Sequence, residues 1–393
     1  MFSRRKFLGT GAALGVASCA TTGMPYGASK TATNTATNIN GLGLNDIAKS
    51  RGIRFGTALS APGGNAKTGA FYDEKYIEII KAQCGVLVAE NEFKMYTIQP
   101  VDGPYRFTRP DKLVAFAQAN NMGMRGHTLL WNKDKYMSPW VMNNAFEDGV
   151  DALLRTYIEA VVGRYKDDVY SWDVVNETID EHTGARRDTV FTRNGGQEIV
   201  DNVFHVAREQ APDTQLVYND FMSWENHSAA HRKGVLKLLE HFRKNNVPVD
   251  ALGIQGHIGQ FVGDSVTGYK GQYDVKAWQE FLKEATDMGY DLVITEFDVN
   301  DTDLVADVAK RDQVIADYAK EYLDVTLEFT QLKDVLAWGI SDNHSWLRSP
   351  DWWPREDGLL KRSTPYSDSY KPKALRQAMA EAFAAAPVRT PLV

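Results

Sequence analysis

Two stretches of this sequence end in charge where a buried apolar strand would end in another apolar residue. Val169-Tyr170-Ser171-Trp172-Asp173-Val174-Val175 delivers Asn176-Glu177, and Asp291-Leu292-Val293-Ile294-Thr295 delivers Glu296, with Asp298 two residues on. Short β-branched apolar runs of this kind predict parallel strands buried on both faces. At the C-terminal ends of barrel strands, side chains open into one shared mouth, and polar groups placed there belong to a site. Two carboxyl groups facing each other across such a mouth can break a glycosidic bond. One acid protonates the leaving oxygen while the other carboxylate meets the anomeric carbon.

Other strand ends add to the same rim. Glu90 and Asn91 follow the second predicted strand, His127 lies in the third, Asn219 and Asp220 end the fifth, Gln255 and His257 the sixth, and Trp338 falls inside the eighth. Buried polar groups are costly unless paired, so packing alone does not explain a polar or aromatic group on every strand from the second to the eighth. His257 can hydrogen-bond the carboxylate of Glu296, and Asp298 can fix that imidazole; a purely structural His-Asp pair is the alternative. Strands four and seven stand roughly opposite in an eight-strand ring. Carboxyl groups reaching inward from them can lie about 5–5.5 Å apart, the separation for a retaining mechanism through a covalent glycosyl-enzyme intermediate.

Competing chemistries find less support. His127 and His257 sit on distant strands, and no His-x-His or His-Glu-x-x-His pattern occurs, so no metal site is expected. No Gly-x-Ser-x-Gly elbow suggests a serine hydrolase. The chemistry asks for no cofactor.

The elements that must hold these residues follow from periodicity. Apolar runs near 53–59, 85–89, 123–129, 169–176, 214–219, 250–256, 291–296 and 335–341 alternate with stretches at helical spacing. The helices are predicted near 72–82, 111–120, 146–166, 197–210, 228–245, 275–288, 307–331 and 372–385. Eight βα units predict an α/β fold of the (β/α)8 TIM-barrel class, one catalytic domain over 43–393. No glycine-rich phosphate fingerprint follows the first strand to favour an open sheet.

With 393 residues, 43% hydrophobic and 24% charged, the chain can build one large core. A net charge of −7 argues against a nucleic-acid partner. Nine Trp suit a carbohydrate cleft, because sugar C–H faces stack on indole. At the N-terminus, Arg4-Arg5 before a short apolar run predicts export by the twin-arginine route over 1–19. Val16-Ala17-Ser18-Cys19 is similar to a lipoprotein processing box, with Cys19 accepting lipid. Residues 20–42 form a Thr/Ala/Asn-rich linker with too little apolar surface to fold. The expectation is a monomeric enzyme that is periplasmic, outer-membrane-anchored or secreted, with Cys84 left free in the folded domain.

From about Phe55 to the last helix, the sequence resembles glycoside hydrolase family 10, the retaining endo-β-1,4-xylanases. The motifs are Glu90-Asn91-Glu92-Phe93-Lys94, Arg125-Gly126-His127-Thr128-Leu129-Leu130-Trp131, Trp172 to Glu177, Gly253-Ile254-Gln255-Gly256-His257, Ile294 to Asp298, and Trp338-Gly339-Ile340-Ser341-Asp342 through Ser345-Trp346. The resemblance implies Glu177 as acid/base, Glu296 as nucleophile, and Asn176 on the 2-hydroxyl of the sugar beside the broken bond. It further implies that Glu90, Asn91 and Lys94 hold the next glycone sugar. His127, Trp131 and Gln255 would line the reacting subsite, with Trp338 and Trp346 as its aromatic wall, and xylan and xylo-oligosaccharides would be the partners. Another retaining β-glycanase of this barrel, or a surface glycan-binding lipoprotein without catalysis, stands as the alternative.

The sequence departs from the family pattern in three places. Asn132-Lys133-Asp134 follows Trp131 where His-x-Gln is common, Phe93 replaces Met, and Lys361-Arg362 stands where Phe-Asp is frequent. Lys133, Lys135, Lys361 and Arg362 can either meet acidic groups on xylan or remain solvated surface.

Overall fold

The computed structural model of the chain describes residues 39, 41–64, 66–259 and 273–391. The export signal, Cys19 and all but a few residues of the 20–42 linker lie outside that range. Eight strands form the ring: Arg54–Leu59, Val86–Ala89, Gly123–Trp131, Val169–Asn176, Gln215–Asp220, Ala251–Ile254, Asp291–Val299 and Leu332–Ala337. Each pairs in parallel with the next, and the eighth returns to the first through Arg54↔Asp334 to Thr57↔Ala337. The sheet therefore closes and leaves no edge.

A long helix follows every strand: Glu74–Gln83, Thr108–Ala119, Val150–Tyr165, Ile199–Gln210, Ala229–Lys244, Val275–Asp287, Val308–Leu327 and Ala374–Ala385. Three of them start on an aspartate whose carboxylate accepts a first-turn amide, namely Asp73, Asp274 and Asp307. A short helix, Leu44–Lys49, precedes the barrel and buries Leu44, Ile47 and Ala48; it is too brief for periodicity to reveal.

Strand side chains alternate between two cores. Outward positions such as Leu87, Trp172 and Leu292 pack with the helices in one large cluster. Inward positions such as Val86, Val88, Val217, Ala251 and Val293 form a smaller cluster inside the ring. Below it the interior is ionic: Arg54 meets Asp334 at 2.6 Å, and the Tyr170 hydroxyl donates to Asp334 at 3.0 Å.

Two strand assignments need correction. The eighth strand begins at Leu332 and ends at Ala337, so Trp338 sits just past it rather than inside it. Lys333 and Asp334 hid its start, since Asp334 is buried by virtue of its ion pair, and Gly339 at φ 95° turns the chain away after Trp338. The sixth strand breaks after Ile254 at Gly256, φ 78°, and resumes as His257–Ile258 paired to Asp298 and Val299.

Candidate active site

Register brings the predicted polar residues to one end of the ring. Asn176 is level with Asn219, Asn219 with Gly253, and His257 with Asp298. They meet in a cleft of about 1300 Å³ whose lining includes Glu90, Asn91, Lys94, His127, Trp131, Asn176, Glu177, Gln255, His257, Glu296, Asp298, Trp338 and Trp346. Of the predicted set among the described residues, only Asn219 and Asp220 fall outside that lining.

The carboxyls of Glu177 and Glu296 are joined by a chain of amides. Glu177 Oε1 accepts from Asn176 Nδ2 at 3.1 Å and from Gln255 Nε2 at 2.9 Å. Asn219 Nδ2 donates to Asn176 Oδ1 at 2.9 Å and to Glu296 Oε1 at 2.8 Å, while its Oδ1 accepts from Thr295 Oγ1 at 2.7 Å. Asn219 thus lies under the cleft floor and orients groups that line it. Gly253 leaves room for this, because a Cβ there would stand 2.5 Å from Asn219 Oδ1. Glu177 itself takes φ 58°, sparsely populated for a residue with a side chain, a strained turn of the kind found at functional sites.

Glu296 is surrounded by cations. His257 Nε2 lies 3.3 Å from Glu296 Oε2, and His257 Nδ1 lies 2.8 Å from Asp298 Oδ1. Burial works against the imidazolium, but Asp298 and then Glu296 outweigh it and raise the His257 pKa to about 10. Burial likewise opposes the charge of Glu296, yet His127, His257 and Lys94 hold its carboxyl below the ordinary range. Asp298 also accepts from Trp346 Nε1 at 2.7 Å, which fixes that indole against the site. The His-Asp pair therefore orients a carboxylate and an aromatic wall together.

At the end of the second strand, Asn91 Oδ1 accepts from Lys94 Nζ at 3.1 Å and from the Tyr96 hydroxyl at 2.8 Å. Burial, and next the charge of Glu92, push the Glu90 carboxyl up to about 7. Trp131 stacks on Tyr136 with centroids 3.8 Å apart, and Lys94 Nζ stands 4.5 Å from the Trp131 centroid. Both are packing contacts, which hold that indole rigid at the cleft edge.

Several residues escaped the sequence reading. Asp173 is fully buried and carries both His127, Nδ1 to Oδ2 at 2.9 Å, and Arg125, Nη2 to Oδ1 at 2.7 Å. An aspartate between Trp172 and Val174 in an apolar strand was the signal. Glu92, also fully buried, accepts from Arg109 Nη2 at 2.6 Å and from the Ala61 and Asn91 amides, anchoring the turn that presents Glu90 and Asn91. Asp220 is turned away from the cleft: its carboxylate accepts from the Tyr218 hydroxyl and from the Phe221 amide at 2.9 Å, and His231 Nε2 stands 3.0 Å from it. Of the four basic candidates, Lys361 is buried and donates to the Trp352 carbonyl at 2.7 Å, and Arg362 is paired with Asp312 at 2.6 Å. Neither is free for an acidic sugar. Lys133 instead reaches into the cleft, its Nζ 2.5 Å from Glu177 Oε2.

The profile of glycosyl hydrolase family 10 matches residues 43–382. The chain belongs to this family. It is therefore a glycoside hydrolase. Within the family, it is 30% identical over 307 residues to endo-1,4-beta-xylanase 3 of Hypocrea jecorina, covering 78% of this chain and 79% of that one. Native xylanase 10B of Thermotoga maritima superposes with a TM-score of 0.76 at 28% identity, covering 87% of this chain and 98% of the other. Xylanase 10B of Thermotoga petrophila RKU-1, solved in complex with xylobiose, gives the same TM-score and identity over 87% of this chain and 97% of its own.

Proposed function

We propose that the protein is a retaining endo-1,4-β-xylanase in which Glu177 is the acid/base and Glu296 the nucleophile. The observation that carries this reading is the amide chain from Glu177 through Asn176 and Asn219 to Glu296. It holds two carboxyls at fixed orientation in one cleft, as attack on one side of a glycosidic bond and protonation on the other require. Family membership and the xylanase names of the relatives support the choice of xylan and xylo-oligosaccharides.

Glu296, kept ionised by the cations around it, attacks the anomeric carbon as Glu177 gives its proton to the departing glycosidic oxygen. Glu177, now a carboxylate, takes a proton from water, whose oxygen displaces Glu296 and restores the starting state. Asn176 keeps a second amide hydrogen that can reach a sugar hydroxyl while the first is given to Glu177. Trp338 and Trp346 offer the apolar wall for the pyranose faces.

Glu296→Ala should abolish turnover on xylan and on dinitrophenyl β-xylobioside alike. Glu177→Ala should lose about 10²–10⁴-fold on xylan and far less on the dinitrophenyl substrate, which needs little protonation to depart. Equal losses on the two substrates in Glu177→Ala would falsify the assigned roles. Hydrolysis of carboxymethylcellulose well above the rate on xylan would replace xylan with β-glucan as the substrate.

A further inference from the structure

The loop after the third strand is pinned on both sides of Lys133. The Asn132 amide donates to the Asn176 carbonyl at 2.9 Å, and its buried side chain joins Thr178 and accepts from Thr189 Oγ1 at 2.8 Å. Asp134 accepts from the Val190 amide at 2.7 Å and pairs with Arg193 at 2.5 Å. Between these anchors the Lys133 side chain crosses to Glu177 Oε2 at 2.5 Å, with Nζ also 4.5 Å from the centroid of the Phe221 ring. A lysine only 22% exposed, held by an ion pair and an aromatic face, is part of the cleft wall rather than solvated surface.

Its position collides with the chemistry. Oε1 of Glu177 is already taken by Asn176 and Gln255, so Oε2 is the oxygen left to carry the catalytic proton. The ammonium 2.5 Å from Oε2 makes its strongest hydrogen bond to a charged oxygen, whereas the acid role requires a proton there. The other charged or titratable groups around the pair include Glu296 at the far end of the amide chain, Arg187, whose Nε donates to the Glu177 carbonyl at 3.1 Å, and Lys94, Tyr136 and Glu181. Glu181 is held by Arg187, and Lys94 by Asn91, so neither takes the place of Lys133 at Oε2.

We propose that Lys133 is a positioning residue that clamps the acid/base carboxyl of the free enzyme and is displaced from Oε2 when the leaving-group sugar enters. This rests on the assignment of Glu177 as the acid. The clamp belongs to the free enzyme, so it acts on kcat/KM, whose pH profile reports free-enzyme groups, and leaves kcat, which reports the bound state. Displaced, the ammonium keeps the Phe221 ring beside it.

The test compares wild type, Lys133→Met and Lys133→Arg on xylotetraose and on dinitrophenyl β-xylobioside across pH 5 to 9. With Lys133→Met, the alkaline limb of kcat/KM on xylotetraose should move up by about half a pH unit or more, roughly a threefold gain on that limb. The kcat limb and the dinitrophenyl profile should stay in place, and Lys133→Arg should retain the wild-type profile. An unmoved kcat/KM limb in Lys133→Met, with thermal unfolding unchanged, would overturn the clamp. So would an equal shift on both substrates. Glu177→Ala separates the two readings: if it alone behaves as an acid variant on the same substrates, only the Lys133 inference fails.

Discussion

Residue by residue, the cleft works by giving like groups unlike surroundings. Glu296 faces His257 and Lys94, whereas Glu90, three strands away in the ring, is buried beside Glu92 and has its carboxyl raised to about 7. Glu90 therefore changes from acid to carboxylate within the range where the enzyme can be assayed. A carboxylate makes stronger hydrogen bonds to sugar hydroxyls than its neutral form. KM for xylotriose should fall as pH rises through about 7 in the wild type, while Glu90→Gln, fixed in the neutral form, should show a flat KM over the same window. A wild-type KM that does not respond to pH between 6 and 8 would count against the proposed contact of Glu90 with the sugar. That Glu90, Glu177 and Glu296 come to one cleft was legible in the sequence. Their protonation was not, because it depends on neighbours such as Glu92 and His257 that the fold supplies.

At the level of elements, the strands act as rulers, and a few positions set how closely they approach. Gly126 in the third strand is level with Trp172 in the fourth, and a Cβ on Gly126 would lie 2.0 Å from the indole. Trp172 is fully buried and cannot swing aside. Gly126→Ala should therefore cost about 1–3 kcal/mol by overpacking. Urea unfolding would register this as a lower midpoint at unchanged m-value. Because Arg125 and His127 flank the glycine and both bind Asp173, kcat should fall with stability; an unaltered midpoint would mean that the indole has room to move. Most strands were read to within a residue or two, as at Val169–Asn176, while the seventh runs to Val299, three residues past its expected end. The eighth was misplaced at Leu332–Ala337, where Asp334 looks like a loop residue until Arg54 is placed opposite it.

For the molecule as a whole, closure of the ring turns residues far apart in the chain into one electrostatic unit. His257, protonated up to about pH 10 in the folded protein, has an ordinary value near 6.5 once unfolded. The native state thus holds an extra proton between those limits. The stability His257 supplies is complete below about pH 6.5 and fades as pH rises toward 10. Urea unfolding at pH 6 and pH 9.5 should show a larger loss of stability in the wild type than in His257→Gln; equal losses would mean that the imidazole is neutral in the fold. The sequence by itself determined the eight βα repeats, the two carboxylates at strand ends and the motif order of the family, because burial pattern and residue chemistry are local properties. Only the tertiary structure decided that Asp220 turns away, that Asn219 links the two glutamates from below, that Lys361 and Arg362 are internal struts, and that Lys133 lies against Glu177. Each of these depends on which side chain stands opposite across strands and loops, and that is fixed by register and ring closure rather than by neighbours in sequence.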